Sequence, residues 1–146
     1  MDRKQFIKKC GYACLAATGL SAVLQSCVAS RTVSATISGS DLVFPESNFE
    51  TIKDNQKKYK KYLVVQNEQL QFPICIFRHS ENNYSAVLMK CSHQGAELQV
   101  FGDRLQCPAH GSEFGSKGEV LNSPADTNLR TFAVIIENNN IKISLK

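Results

Sequence analysis

Short apolar runs separated by turn-forming residues dominate the chain from residue 62 onward. Beyond the N-terminal apolar stretch, no segment shows the long apolar period of 3.6 residues that would indicate an amphipathic helix. Short runs bounded by Asn, Gly and Asp are typical of antiparallel strands joined by hairpins, because these residues tolerate turn conformations. The pattern therefore predicts an all-β antiparallel domain, a small sandwich or barrel, with strands over Tyr62–Val65, Phe72–Arg78, Tyr84–Lys90, Leu98–Phe101, Leu129–Glu137 and Ile141–Leu145.

The turns predicted between these strands contain residues that accept a positive φ. They lie at Asn67-Glu68, Ser80–Asn83, Gly102-Asp103 and Asn138–Asn140. Upstream, Ala29–Ser40 is rich in Ser and Thr and is interpreted as a linker, although alternating apolar residues within it allow a first edge strand. The predicted organisation is a leader over 1–26, a tether and first strands over 27–61, and the main domain over 62–146.

The leader is predicted from two adjoining segments. Met1–Lys9 is basic and Gly11–Leu24 is small and apolar, which is the order found in a secretory signal. Fourteen helical residues cover roughly 21 Å, which is short of the ~30 Å hydrocarbon core, so a retained spanning helix is not expected. Leu24-Gln25-Ser26-Cys27 resembles a bacterial lipobox, which implies lipidation of Cys27 and a domain exported to the periplasm and tethered to a membrane surface.

Net charge argues against a nucleic-acid-binding domain. The 146 residues contain 17 Lys and Arg and 13 Asp and Glu, a formal charge of +4. The leader carries four of the basic residues and one acidic residue, so residues 27–146 are close to neutral. The remaining charge run, Lys57–Tyr62, is interpreted as a solvated loop that leads into a strand.

Two Cys-His pairs are the strongest chemical signal in the sequence. Cys91-Ser92-His93 and Cys107-Pro108-Ala109-His110 each follow a predicted strand and are separated by 13 residues. One Cys and one His from each of two facing loops can hold either a tetrahedral metal ion or an iron-sulfur cluster. A familiar zinc finger pairs Cys with Cys and His with His, and this chain does neither. A Cys2His2 zinc site in an exported binding domain without redox activity nevertheless remains the alternative.

The paired motif C-x-H and C-x-x-H resembles that of the Rieske iron-sulfur family. The likeness covers roughly residues 62–146 and implies a Rieske-type antiparallel sandwich or barrel with a cluster-binding subdomain of two loops. It also implies one [2Fe-2S] cluster, with the two Cys on the inner iron and the two His on the solvent-facing iron. The residues that carry the resemblance are Cys91, His93, Gly95, Cys107, Pro108, His110, Gly111, Ser112 and Pro124-Ala125. Of these, Gly111, Ser112 and Pro124 are expected to line the cluster beside its four ligands.

Three departures separate the chain from the high-potential, quinol-oxidising members that it resembles. Ala96 and Ala109 stand where those members have the Cys residues of a disulfide, and Phe114 stands where they have a Tyr that donates to a ligand sulfur. Gln94 replaces an apolar residue beside the exposed His, which argues against direct quinol docking. Because a donor to cluster sulfur stabilises the more negative reduced state, the loss of one predicts a lower reduction potential.

The function expected from the resemblance is one-electron transfer in a membrane-associated redox chain. The chain would be a subunit of, or a donor or acceptor to, an oxidoreductase such as a quinol-oxidising complex, rather than a stand-alone enzyme. Its expected partners are redox proteins, for example a cytochrome, and the membrane through the lipidated N-terminus, with no nucleic acid. Cys75 is predicted to be a small buried hydrophobe and His79 a solvated surface residue.

Overall fold

The computed structural model describes residues 31–146, and this part of the chain is almost entirely β-structure. Its single helical element is a 3-10 helix at Glu46–Phe49. No helix within 31–146 has the length and apolar character needed to cross a membrane. The strands are β1 (Thr32–Ser34), β2 (Thr36–Ser38), β3 (Asp41–Pro45), β4 (Glu50–Lys53), β5 (Gln56–Tyr59), β6 (Tyr62–Gln66), β7 (Ile74–Ser80), β8 (Asn83–Leu88), β9 (Gln99–Phe101), β10 (Arg104–Gln106), β11 (Glu113–Gly115), β12 (Val120–Asn122), β13 (Thr131–Phe132), β14 (Val134–Glu137) and β15 (Asn140–Ser144).

A five-stranded and a four-stranded sheet share the main core. The first has the order β1-β6-β7-β8-β13 and the second β14-β15-β3-β2. All pairs are antiparallel except β1 with β6. The segment before residue 62, predicted to hold the tether and first strands, contributes Leu42, Phe44 and Phe49 to this core, where they meet residues such as Leu63 and Ile141.

A third sheet, with the order β12-β11-β10-β9, packs on the other face of the five-stranded sheet. β7 contributes side chains to both apolar clusters, one on each face of the five-stranded sheet. Ile74 and Ile76 join the main core, whereas Cys75 and Phe77 join a second apolar cluster that also contains Phe114 from β11. Alternate residues of a strand point to opposite faces, so the unbroken apolar run that was predicted as a strand is buried on both sides.

The all-β prediction is confirmed, with differences at the element level. The alternation within Ala29–Ser40 does form edge strands, β1 and β2. The predicted run Leu129–Glu137 is divided at Ala133 into β13 and β14, which belong to different sheets. The interpretation of Lys57–Tyr62 as a loop is wrong, because its first residues lie in β5 and pair with β4 in a separate hairpin. Asn138, Asn139 and Gly102 do have positive φ at the predicted turns.

Candidate metal centre

The first ligand loop is closed by backbone hydrogen bonds around its cysteine. It follows β8, where the Gly95 amide donates to the Cys91 carbonyl at 2.8 Å and the Cys91 amide donates to the Ala96 carbonyl at 2.8 Å. Gly95 has a φ of +76°, which residues with a Cβ rarely adopt. His93 therefore lies on a tight turn whose two ends are fixed to each other.

The second ligand loop repeats the same arrangement after β10. The Gly111 amide donates to the Cys107 carbonyl at 3.0 Å, and the Cys107 amide donates to the Ser112 carbonyl at 2.8 Å. Gly111 has a φ of +80°, close to that of the corresponding glycine in the first loop. The two loops therefore have the same size, although their spacings, Cys-x-His and Cys-x-x-His, differ. His110 lies one position further from its cysteine than His93 does.

The two cysteines are buried and the two histidines are exposed. Cys91 and Cys107 are each 2% exposed and belong to the second apolar cluster. Both are free thiols, so the structure contains no disulfide between them. His93 and His110 lie at the surface, with ring centroids 5.1 Å apart in an edge-to-face orientation. The loops therefore present a thiol pair on the inner side and an imidazole pair on the solvent side.

This pairing fits a two-iron group. Two imidazoles on one tetrahedral metal place their centroids about 5 Å apart, since the metal–nitrogen bond is about 2.0–2.1 Å, and the centroids of His93 and His110 match that separation. Among residues 31–146, no three His, Cys, Asp or Glu side chains converge as ligands for one metal ion. A cluster that takes a Cys pair at one iron and a His pair at the other needs only the two pairs present.

Electrostatics around Cys107 favour the thiolate, which is the form that binds metal. Burial acts to raise the pKa of this thiol, but hydrogen bonds from the His110 and Ala109 amides and from the Cys91 thiol outweigh it, so the pKa lies below the usual value. Backbone amides stabilise negative charge on sulfur in the same way that they stabilise other anions. The second loop therefore stabilises Cys107 as an anionic thiolate, the form in which it can bind a metal.

A third segment, over residues 122–127, connects the two ligand loops. The Ala125 amide donates to the fully buried Ser112 Oγ at 3.0 Å, and Asn122 Nδ2 donates to the Gly111 carbonyl at 3.2 Å. Ser92 Oγ in the first loop donates to the Thr127 carbonyl at 2.5 Å. The segment contains the exposed Pro124, and it bridges one loop to the other.

Sequence reasoning singled out Ser112, Gly111 and Pro124 but missed Ser92, Asn122 and Thr127. Ser92 and Thr127 lie in a turn and a bend, where small polar residues are ordinary, and Asn122 is the last residue of the short strand β12. Their contacts cross 35 positions for Ser92 and 11 for Asn122, so local spacing contains no signal for them.

The remaining predicted residues lie elsewhere. Cys75 is fully buried on β7, and burial raises the pKa of its thiol far above the ordinary value, which fits the prediction of a small buried hydrophobe. His79 is exposed near the other end of β7, where its Nε2 lies 2.8 Å from Ser85 Oγ. The predicted leader over residues 1–26 and the predicted lipidation site Cys27 lie outside the described residues.

At the departures from the motif, the structure gives each side chain a definite position. Phe114 is fully buried in the same apolar cluster as the two cysteines. Ala96 is half-buried and Ala109 is exposed, and Gln94 is exposed beside His93. The four replaced positions therefore differ in burial, and only Phe114 lies in the interior.

Comparison with known proteins adds a family match. The family model for the Rieske [2Fe-2S] domain matches residues 44–133, a range that contains both ligand loops and the connecting segment. In the solved structure of the cyanobacterial plasma membrane Rieske protein PetC3 from Synechocystis PCC 6803, the similar part covers 57% of this chain and 86% of that one, with 29% identity and a TM-score of 0.50.

Two curated relatives come from different systems. The oxygenase component of chloroacetanilide N-alkylformylase from Rhizorhabdus wittichii is 34% identical over 64 residues, which is 42% of this chain and 18% of that protein. The cytochrome b6-f complex iron-sulfur subunit from Synechococcus sp. (strain CC9605) is 34% identical over 56 residues, which is 37% of this chain and 32% of that subunit. The chain thus matches less than a third of the length of either relative.

Proposed function

The chain belongs to the Rieske [2Fe-2S] family, whose domains bind a [2Fe-2S] cluster, and from that premise we propose that it carries single electrons in a membrane-associated redox chain. The observation that carries the proposal is the pair of equivalent loops, each with its Cys buried and its His exposed. With the cluster as cofactor, the zinc alternative is not retained.

Each of the four predicted ligands has a distinct part in this function. Cys91 and Cys107 would hold the cluster from the buried side, and His93 and His110 would hold it from the surface. When bound, a [2Fe-2S] cluster takes up and returns one electron. Because the two imidazoles are exposed, the shortest path for that electron into or out of the protein passes through them. Electron transfer therefore requires contact with a partner at this surface, and it does not require an enclosed substrate pocket.

The surrounding residues protect and tune the site. Ser112 accepts a hydrogen bond from the Ala125 amide, and this fixes the oxygen so that its hydroxyl proton is available to donate towards the bound group. Ala125 is itself buried, so the segment that contains Pro124 is held against the second loop at this residue. Phe114 contributes apolar surface but no donor, which supports a reduction potential below that of members with a Tyr at this position.

We place the protein at a membrane on the periplasmic side of a bacterium, anchored through a lipid on Cys27. The lipobox resemblance supports this location, and the similar Synechocystis protein is described as a plasma membrane Rieske protein. The relatives include both a cytochrome b6-f subunit and an oxygenase component, so partners of either class, a cytochrome complex or an oxidoreductase, fit the site. The exposed Gln94 beside His93 favours a protein partner over direct contact with quinol.

Electron paramagnetic resonance of the reduced protein tests the function. The full chain is made in a host that assembles iron-sulfur clusters, and iron, sulfide and zinc are measured alongside the spectrum. We expect about two irons per chain and an anisotropic spin-half signal with a low average g value, as for mixed Cys and His ligation. His110→Ala abolishes this signal, whereas His79→Ala, an exposed histidine away from the loops, leaves it unchanged. A silent spectrum with zinc in place of iron contradicts the proposal.

A further inference from the structure

The β4–β5 hairpin is the most exposed element of the described chain. Every residue of β5 is exposed, and Ile52 on β4 is 81% exposed, more than any other large hydrophobic side chain among residues 31–146. Asp54 and Asn55 form its tip, both with a φ of 56°, the conformation of a tight two-residue hairpin turn. The hairpin thus presents an apolar side chain near its tip to the surroundings.

The hairpin is also the basic part of the domain. Residues 50–61 contain five Lys and two acidic residues, and Arg31 beside them adds another positive charge. The rest of the described chain contains seven basic and ten acidic residues. The hairpin region with Arg31 therefore has a formal charge of +4, and the rest of residues 31–146 has a formal charge of −3. The net charge is nearly neutral, but the positive charge is concentrated at the hairpin.

The N-terminal tether enters the domain at this same end. β1 runs parallel to β6, and the Val64 amide donates to the Arg31 carbonyl at 2.8 Å. The Arg31 guanidinium carbon lies 4.5 Å from the centroid of the Tyr62 ring, at the start of β6, directly after the hairpin. The chain that arrives from Cys27 and the basic hairpin are thus neighbours at one end of the five-stranded sheet.

The ligand loops lie at the other end of that sheet. β6 leads away from the hairpin, and its Val65 pairs with Ile74, which in turn pairs with Leu88 at the end of β8. The loop that begins at Cys91 follows immediately, and the second loop adjoins it through the two histidine rings. The five residues of β6 alone span about 17 Å, so tether and ligand loops are well separated.

From these observations we propose that the hairpin end rests on an anionic lipid bilayer, with Ile52 entering the interface and the ligand loops facing away from the membrane. The inference rests on the proposed lipid anchor at Cys27. Only three residues separate Cys27 from Arg31, so an anchored chain keeps Arg31 within about 14 Å of the lipid surface. A lipid on Cys27 holds the N-terminus at the membrane but does not fix the orientation of the domain, and a basic patch beside it adds an attraction to anionic headgroups.

This orientation selects the kind of redox partner. With about 17 Å of sheet between the bilayer and the loops, the exposed His93 and His110 face the aqueous compartment. They then exchange electrons with a soluble protein, or with the outer surface of a complex, that approaches from that side. Direct contact with a quinol in the bilayer that holds the anchor is excluded by the same geometry.

Lysine acylation on reconstituted vesicles tests the orientation. The full chain is purified from membranes in detergent and placed in vesicles of phosphatidylcholine, with or without phosphatidylglycerol, and acylation of each lysine is followed by mass spectrometry. We expect Lys53, Lys57 and Lys58 to react at least about fivefold more slowly on the anionic vesicles, since each contributes a favourable interaction with the surface. Protection is lost at about 0.5 M salt. Lys90, which is exposed and immediately precedes the first ligand loop, is the internal control and reacts equally on both.

Matched variants separate the apolar and the basic contribution. Ile52→Ser and the double variant Lys53→Glu/Lys58→Glu each reduce the protection of Lys57. Ile135→Ser is the control for the first, because Ile135 is also exposed, at 54%, but lies on β14. Lys90→Glu, at the ligand-loop end of the sheet, is the control for the second.

The outcomes distinguish this inference from the proposed anchor. The mass of the N-terminal peptide shows directly whether Cys27 carries a lipid. Where it does, equal acylation of the hairpin on both vesicle types overturns the orientation. If Cys27 carries no lipid, the proposed anchor is wrong, and the orientation is then tested by adding vesicles to the soluble chain. Hairpin lysines that remain unprotected in that experiment overturn the orientation. Protection of the hairpin by an acidic redox protein in place of vesicles also overturns it, in favour of a protein-docking surface.

Discussion

Ser112→Ala removes the one buried polar side chain among residues 31–146, and the structure sets the size of the effect. Ser112 Oγ is the acceptor for the Ala125 amide, and Ala125 is only 3% exposed. Without the oxygen, a buried N–H group has no partner, which costs about 1–3 kcal/mol of folding free energy. For a domain of this size, that cost lowers Tm by roughly 3–15 °C.

The same substitution changes the electrochemistry of the site. A hydroxyl that donates towards a bound cluster stabilises its reduced form relative to its oxidised form by about 0.5–1.5 kcal/mol, the net value of a typical hydrogen bond. For a one-electron couple this corresponds to about 20–65 mV, so we expect the reduction potential of Ser112→Ala to fall by that amount. Protein-film voltammetry measures the potential, and differential scanning calorimetry measures Tm on the same preparation.

Ser92→Ala is the matched control. Its hydroxyl contacts the same connecting segment, but it is exposed, so water replaces the lost hydrogen bond to the Thr127 carbonyl. We expect a stability loss of less than about 0.5 kcal/mol for this variant. If Ser112→Ala is no less stable than Ser92→Ala, the assignment of Ser112 as a buried anchor of the connecting segment is refuted.

Three further predictions concern the interior and the ligand loops. Gly111→Ala adds a Cβ that meets no atom within 4 Å, but the φ of +80° makes the substitution cost about 1–2 kcal/mol of backbone strain. Gly39→Ala, at a φ of +63° and with equally open space, is the control. We expect calorimetry to show a similar loss of Tm for both variants, and only Gly111→Ala to lose bound iron. Phe114→Tyr adds a donor beside the two cysteines and raises the potential by about 20–65 mV in voltammetry, whereas an unchanged potential shows that the added hydroxyl does not reach the site. Because burial raises its pKa, the Cys75 thiol stays uncharged and resists iodoacetamide across the alkaline range until the protein unfolds, and mass spectrometry that finds it alkylated in the native state contradicts this.

The sequence signal that predicts the ligand loops is local. Each Cys-His pair lies within four positions, and a glycine closes each loop at the same distance from its cysteine. The long strands β6, β7, β8 and β15 were also predictable, since burial of one or both faces leaves a clear apolar pattern. Their residue types are required by packing over several consecutive positions.

The parts that escaped prediction are short or depend on distant contacts. β10 and β11 have three residues each, with one large apolar residue in each strand, so no period can be recognised, although Leu105 and Phe114 are fully buried. The β4–β5 hairpin is exposed on both faces, so burial imposes no alternation and its lysines resemble a loop. In both cases the strand is defined by its partner and not by its own sequence.

The first ligand loop follows β8, whose neighbour β7 is buried on both sides, and this has a consequence for electron transfer. Ile76 and Phe77 on β7 fix the five-stranded sheet to the main core and to the second cluster at once, so the base of the site cannot shift without disturbing both. The connecting segment then restrains the loops from the outer side through Ser112. Groups that are held in place before a charge changes need little reorganisation when it does. Rigidity of the cysteine side, combined with exposure of the histidine side, therefore suits a site whose work is to exchange an electron at a surface without rearranging its own structure.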